Sequence, residues 1–309
     1  MTTVLKIGLV GFGKIARDQH LPAIAMTEGA ELVAVASPNS RAEGVANYPD
    51  IDAMLAGQPD LDAIAMCQPP QYRYEAAAKA LAAGKHVFLE KPPGATLSEV
   101  EALITQASAQ GVTLFASWHS RHAAAVAPAR AWLEGRRLRS VTITWKEDVR
   151  HWHPGQTWIW QAGGFGVFDP GINALSILTE IVREPILLAR ADLETPSNRE
   201  APIAAKLALK TAGGAPIEAV FDFRQTGPQS WDIVVEAEDG VMQLSEGGAK
   251  FAINGAAQPT NPEGEYPVMY RHFVDLVRSE RSDVDLAPLR LVADAFLCGH
   301  IRPTDPFED

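Results

Sequence analysis

The sequence predicts an α/β protein in two parts: a doubly wound parallel sheet at the N-terminus and a C-terminal α+β portion built on a large open, mostly antiparallel sheet. Three observations carry this prediction. Over residues 5–120 short apolar runs alternate with longer helical patterns, the signature of successive βαβ units. After a linking helix over residues 123–134, strand candidates follow one another through residues 186–253 with almost no helix between them. The length of 309 residues exceeds the usual size of one domain.

Taken in order, the first strands are expected at residues 5–10, 31–36, 63–67, 86–89 and 113–117, each rich in Val, Ile, Leu, Phe or Ala. Gly84 follows an Ala-rich helix as its C′ residue, and Thr96 with Glu99 forms a T-x-x-E capping box that opens the next helix. Further on, residues 217–224 and 231–238 alternate apolar with polar, as half-buried strands do, and Asp239-Gly240 reads as a hairpin turn between strands. Helical stretches over residues 266–278 and 286–299 finish the chain. The expected division is 1–122 for the first domain and 123–309 for the second.

Composition narrows the class of partner. An apolar fraction of 47% and a charged fraction of 21% are those of an ordinary soluble globular protein. The 27 Lys and Arg against 38 Asp and Glu give a net charge of −11, so nucleic acid is a poor partner. Met1-Thr2-Thr3 runs directly into an apolar strand without a basic segment or a long apolar core, so no secretory signal is expected. No run reaches the roughly 18 apolar residues that span a bilayer, and the expected location is cytoplasmic. Cys67 and Cys298 have no disulfide or metal spacing and read as two buried, reduced thiols.

Gly8-Leu-Val-Gly11-Phe12-Gly13-Lys14-Ile15-Ala16 follows the first strand and opens a helix, the setting in which G-x-G-x-x-A is a dinucleotide fingerprint. Gly11 permits the tight turn, Gly13 lets the main chain approach a pyrophosphate, and Ala16 keeps helix and sheet close. The second strand ends at Ser37, where an acid would bond the adenosine ribose of NAD. With Arg41 four residues later, a hydroxyl and a guanidinium are available to a 2′-phosphate, which favours NADP while leaving NAD possible.

The fourth expected strand ends in Phe88-Leu89-Glu90-Lys91-Pro92, placing a lysine at the carboxyl edge of the sheet, where open α/β folds bind ligands. The blander reading is a surface ion pair of Lys91 with Glu90. Farther along, Gly163-Gly164-Phe165-Gly166-Val167-Phe168-Asp169-Pro170-Gly171-Ile172-Asn173 opens a helix on which Asp169 and Asn173 lie one turn apart on one face. Asp169 could instead merely cap its helix.

E-K-P after the fourth strand, Pro69 and Pro70 after the third, and His20-Leu21-Pro22 in the first helical region resemble the Gfo/Idh/MocA oxidoreductases. The resemblance implies a Rossmann domain, a lysine beside the nicotinamide and the substrate hydroxyl, and cofactor contacts from Gly11, Phe12, Gly13, Lys14, Ile15, Ser37, Arg41, Gln68, Pro69, Glu90 and Lys91. That family commonly has D-x-x-x-H where this chain has Asp169 and Asn173, which leaves proton transfer to Asp169 or Lys91. Asn173 remains able to orient a hydroxyl through its amide. The Asn, together with the Trp-rich segment around Trp145, Trp152, Trp158 and Trp160, is similar to the aldose 1-dehydrogenase branch acting on L-arabinose and D-galactose.

That branch implies oxidation of a sugar's anomeric carbon to an aldonolactone. Trp152 and Trp231 are the expected sugar-facing rings, Trp152 in an irregular stretch between histidines and Trp231 at the start of a strand reaching the open face of the sheet. His119 and Glu147 are expected to bond sugar hydroxyls. His151 and His153 with His119 and Asp169 lack a diagnostic ligand spacing, so no metal is expected. Two other readings stay open: a sensor of cofactor or sugar without turnover, and an enzyme for another polyol or an imine. The open sheet also leaves room for pairing of two copies.

Overall fold

The computed structural model describes residues 4–261 and 263–308. The first sheet is six-stranded and wholly parallel, made of β1 (Leu5–Val10), β2 (Ala30–Ala36), β3 (Ala46–Tyr48), β4 (Ala63–Met66), β5 (His86–Leu89) and β6 (Leu114–Ala116). Its order, β3-β2-β1-β4-β5-β6, is that of a Rossmann sheet, with the direction of winding reversing between β1 and β4. All five expected strands are found within a residue at each end; β3, only three residues long, was not anticipated.

The connecting helices begin and end where local chemistry dictates. A wide helical turn over Ala16–His20 runs into α1 (Leu21–Met26), and α2 (Ile51–Gly57) is capped by the Asp50 side chain on the amide of Ala53, 2.9 Å. After α3 (Tyr74–Ala82), Gly84 takes φ +71°. Before α4 (Leu97–Gln110), Thr96 Oγ1 accepts from the Glu99 amide and Glu99 returns a carboxylate oxygen to the Thr96 amide, as the capping-box spacing requires.

The second sheet has nine strands: β7 (Leu138–Lys146), β8 (Ile186–Pro196), β9 (Ala204–Thr211), β10 (Pro216–Asp222), β11 (Ser230–Ala237), β12 (Gly240–Ser245), β13 (Lys250–Ile253), β14 (Ala256–Gln258) and β15 (His300–Thr304), in the order β14-β13-β12-β11-β7-β10-β9-β8-β15. It is mixed: β10 pairs with β7 and β15 with β8 in parallel, the remaining pairs being antiparallel. The hairpin between β11 and β12 turns on Glu238 and Asp239, one residue earlier than expected, because Gly240 already pairs with Ala237. A Cβ on Gly240 would come within 3.1–3.4 Å of Asn254 and Trp132, so glycine here serves close packing.

One face of this sheet is buried and the other carries the polar members of each alternation. Val141, Ile143 and Trp145 of β7 stand in register with Val235, Ile233 and Trp231 of β11 on the buried face. Trp231 therefore does not reach the open face: strict alternation puts it in step with Ile233 and Val235. Helices α5 (Val126–Leu133), α6 (Val149–Trp152), α7 (Phe168–Ile181) and α9 (Ala287–Cys298) belong to this part of the chain. Past the buried Leu291, Val292 and Ala295, the last turn of α9 leaves Leu297 and Cys298 exposed, while Phe296 keeps its ring 5.3 Å from Phe168. Of the two thiols expected to be buried, only Cys67 is.

The chain divides into two compact units. The first contains the chain up to His119 and returns for Gly264–Asp285; the second takes Ser120–Glu263 and the chain from Leu286 onward. A single cut near residue 122 leaves this return out. It consists mainly of α8 (Glu265–Arg278), whose Tyr266, Met269, Tyr270, Phe273 and Val274 join Ile7, Leu9, Phe88 and Phe115 in the core of the first unit. Among the described residues no helix is long and apolar enough to cross a membrane.

Candidate active site

In the first unit the carboxyl ends of β1, β4, β5 and β6 deliver Gly11, Gln68, Lys91 and His119. Gly11 has φ +88°, and a Cβ there would lie 2.8 Å from the amide nitrogen of Gln68, so only glycine makes this turn. Gly13 has nothing within 4 Å of its Cβ direction, leaving open space over the start of the helix. Phe12 is buried in the core, while Lys14 is exposed with Asp18 one turn on and Ile15 is half-buried. From this turn Phe12 and Lys14 therefore offer a ligand main-chain atoms and a flexible cation respectively.

Ser37 is half-buried just past β2, its amide held by the Tyr48 carbonyl at 2.9 Å, and Arg41 is exposed. Gln68 and Pro69 are half-buried beside the Gly11 turn, and Gln68 Oε1 is a buried acceptor without a hydrogen bond among the described residues. An open glycine cradle at a helix start, an unfilled acceptor beside it and an exposed cation near the second strand suit a dinucleotide.

Glu90 is only 3% exposed, so a surface ion pair with Lys91 is not what it makes. Its Oε2 accepts from the Lys91 amide at 2.7 Å and from Ser117 Oγ at 2.5 Å; its Oε1 accepts from Tyr266 Oη at 2.5 Å and stands 3.7 Å from His20 Nε2. His20 is fully buried, its Nδ1 2.7 Å from Tyr270 Oη, and boxed by the rings of Phe88, Tyr266 and Tyr270. Burial opposes charge on both groups. For Glu90 the nearby charge of His20 outweighs it and holds the carboxyl well below its usual range; for His20, Cys67 and Glu90 push the imidazolium up to about 10. Burial pushes the Tyr266 and Tyr270 hydroxyls well up, so both stay protonated donors. His119 bonds Glu265 through Nδ1 and stacks on Tyr266, ring centres 5.5 Å apart.

The second unit assembles a different set. The Gly163–Gly166 loop is tight: a Cβ on Gly164 would fall 2.0 Å from the Trp158 carbonyl oxygen, and Phe165 itself holds φ +73°. That loop leads into the first turn of α7, where Asp169 is 3% exposed and Asn173 lies half-buried one turn later. Glu147, buried just past β7, accepts from Trp231 Nε1 at 3.0 Å. Between the two carboxylates lies His153, its Nε2 3.3 Å from Glu147 Oε1 and its Nδ1 3.9 Å from Asp169 Oδ2. Nδ1 is buried and without a hydrogen bond among the described residues. Trp231 lies between the rings of Trp145 and Trp152, centres 6.1 and 5.2 Å away, and Trp152, on α6, is 38% exposed.

The structure thus groups Glu147, Asp169, Asn173, Trp152 and Trp231 in one unit, and Lys91, His119 and the dinucleotide residues in the other. Sequence reasoning passed over His153 except as a metal candidate; its placement between two acids was signalled only by the H-x-H around Trp152. Arg73, His20, Tyr266 and Glu265 were also missed as partners of the site. Among the described residues no three His, Cys, Asp or Glu side chains converge as a metal set.

A glycine turn at the switch point of a Rossmann sheet, with a lysine just past the carboxyl end of β5, defines a dinucleotide-binding α/β protein. Comparison with known proteins narrows this. The Gfo/Idh/MocA model, described as an oxidoreductase family with an NAD-binding Rossmann fold, matches residues 5–117. A galactose 1-dehydrogenase from Pseudomonas fluorescens is 46% identical over 99% of each chain. The crystal structure of a D-galactose-1-dehydrogenase from Rhizobium etli matches with TM-score 0.94 at 57% identity, covering 100% of this chain and 99% of that one. At 19% identity, a 3-ketoreductase from Actinomadura kijaniata solved with NADP shares the fold with TM-score 0.86, covering 98% and 100%. The chain belongs to the Gfo/Idh/MocA oxidoreductase family.

The buried pair carries a pH signature. A raised His20 contributes stability that is complete below its ordinary value of 6.5 and is lost as the pH climbs towards about 10. A depressed Glu90 contributes stability that is present above its ordinary 4.5 and lost as the pH falls below it. The stability gap between the parent chain and His20→Gln, measured by urea unfolding, is therefore expected to be widest near pH 6 and to shrink by pH 9. An equal gap at both values excludes a charged His20.

Proposed function

We propose that the chain is a cytoplasmic NAD(P)-dependent sugar 1-dehydrogenase that oxidises the anomeric carbon of D-galactose and L-arabinose to the aldonolactone. The observation that carries this reading is the Glu147–His153–Asp169 array beside an exposed tryptophan, in a chain similar over its full length to galactose 1-dehydrogenases. The indoles of Trp152 and Trp231 suit the apolar face of a pyranose, and Glu147, Asn173 and His119 suit its hydroxyls. D-Galactose and L-arabinose share ring configuration and differ by a hydroxymethyl group, so one site accepts both unless its wall is tight.

When bound, the oxidised nicotinamide supplies the acceptor for the C1 hydrogen and its electron pair. The chain's own residues manage the remaining proton, which leaves the C1 hydroxyl as the C1=O bond of the lactone forms. Lys91 and Asp169 are assigned to that proton, with the His153 imidazole 3.9 Å from Asp169 as its nearby acceptor. Glu90 keeps the main chain of Lys91 in place through its amide. The open face of the second sheet is available for pairing with a second copy.

The decisive experiment measures NADPH and NADH formation from L-arabinose, D-galactose, D-xylose and D-glucose, with Lys91→Ala in parallel. Turnover of the first two, reduced on the order of 10² to 10⁴-fold by Lys91→Ala, is expected. Silence with all four sugars replaces this reading with a sensor or another substrate. Preference for NADP is assigned to Ser37 and Arg41, so Arg41→Ala should raise the KM for NADP on the order of tenfold and leave that for NAD unchanged, as loss of one charge-assisted phosphate contact requires.

A further inference from the structure

Arg73 enters at the end of the short 3-10 turn Pro70–Tyr72 and is 2% exposed, placing a guanidinium inside the first unit. Its Nη1 donates to the main-chain carbonyls of Glu90 and of Pro92, the residues on either side of Lys91. Its Nη2 donates to the carbonyl of Gln68, in the loop after β4. All three carbonyls lie beyond the ends of their strands, where no ladder partner exists for them, and buried acceptors of this kind need a donor. On the opposite side the Lys91 amide is held by the Glu90 carboxylate. The segment carrying the lysine is therefore gripped from both sides, and one of the grips extends to the loop that packs on the Gly11 turn.

We infer that Arg73 is a positioning residue for Lys91, fixing the height of the lysine at the sheet edge by tying the loop after β5 to the loop after β4. The inference rests on the role given to Lys91 above. Arg73 reaches its three carbonyls from two separate nitrogens of a planar fork; the three donors of an ammonium share one nitrogen on a shorter reach and cannot span both loops, so lysine is not a conservative replacement here. A general support of the fold would make every strand depend on Arg73 alike, whereas a positioning role confines the effect to the two tied loops, around residues 67–68 and 88–91.

The test uses the full chain with Arg73→Lys and Arg73→Ala, read by hydrogen exchange resolved along the sequence and by steady-state kinetics with D-galactose and NADP. Expected are faster exchange confined to the amides around residues 67–68 and 88–91 with β1 still protected, and a kcat lowered about a hundredfold while the KM for NADP moves less. Millimolar guanidinium should restore part of the Arg73→Ala rate, and ammonium should not. If Arg73→Ala fails to fold, Arg73→Lys alone decides. Unchanged exchange at 88–91, exchange raised equally in β1, or a near-normal kcat in Arg73→Lys overturns the inference. Should the parent chain oxidise no sugar, the exchange arm still judges the placement of Lys91, so the two readings fail separately.

Discussion

A carboxylate kept ionised inside a protein needs its charge met and its lone pairs filled, and Glu90 has both. Its two oxygens reach four segments: the amide that follows it, Ser117 beyond β6, Tyr266 at the start of α8, and His20 at the end of the first helical turn. Removing one partner of such a buried pair typically costs about 3–5 kcal/mol, because the remaining charge is left uncompensated. The ends of two strands, the entry of the first helix and a helix from late in the sequence are thus held to one point. Lys91 inherits its place from that point, since its amide is among the groups that satisfy the acid.

The two units supply different chemistry. The first offers main-chain donors, open space at glycine and a buried anion that is already neutralised. The second offers two buried carboxylates with an imidazole between them and a row of indoles. His153 gives this chain an imidazole near Asp169 although residue 173, one turn along α7, is asparagine. The imidazole reaches Glu147 at 3.3 Å but stops 3.9 Å short of Asp169, so exchange with that acid calls for the gap to close.

What could be read from sequence was what is encoded locally. The Gly11 turn, the Thr96–Glu99 capping box and the strand ending at Lys91 depend on residues within a few positions of one another, and each was legible. The three-residue β3 is too short to show a period, and β7 and β15 owe their places to parallel partners far along the chain. The inward side of Trp231 follows from its register with Ile233 rather than from its place at the start of a strand. Contacts that close the site span long separations, 250 residues for His20 with Tyr270 and 176 for Glu90 with Tyr266, and no local pattern announces them. Arg73 was invisible for a related reason: its partners are main-chain carbonyls, which carry no side-chain signature.

The return of α8 to the first unit bears on how the protein is made. A ribosome releases the six strands of the Rossmann sheet early, yet Tyr266, Tyr270 and Phe273, which cover Phe88 and Phe115, are not translated until most of the second unit has emerged. Until then the nascent sheet carries an uncovered apolar face, and Glu90 and His20 lack their tyrosine hydroxyls. The N-terminal half is thereby an obligate client of its own later sequence, and its completion times the maturation of the whole chain.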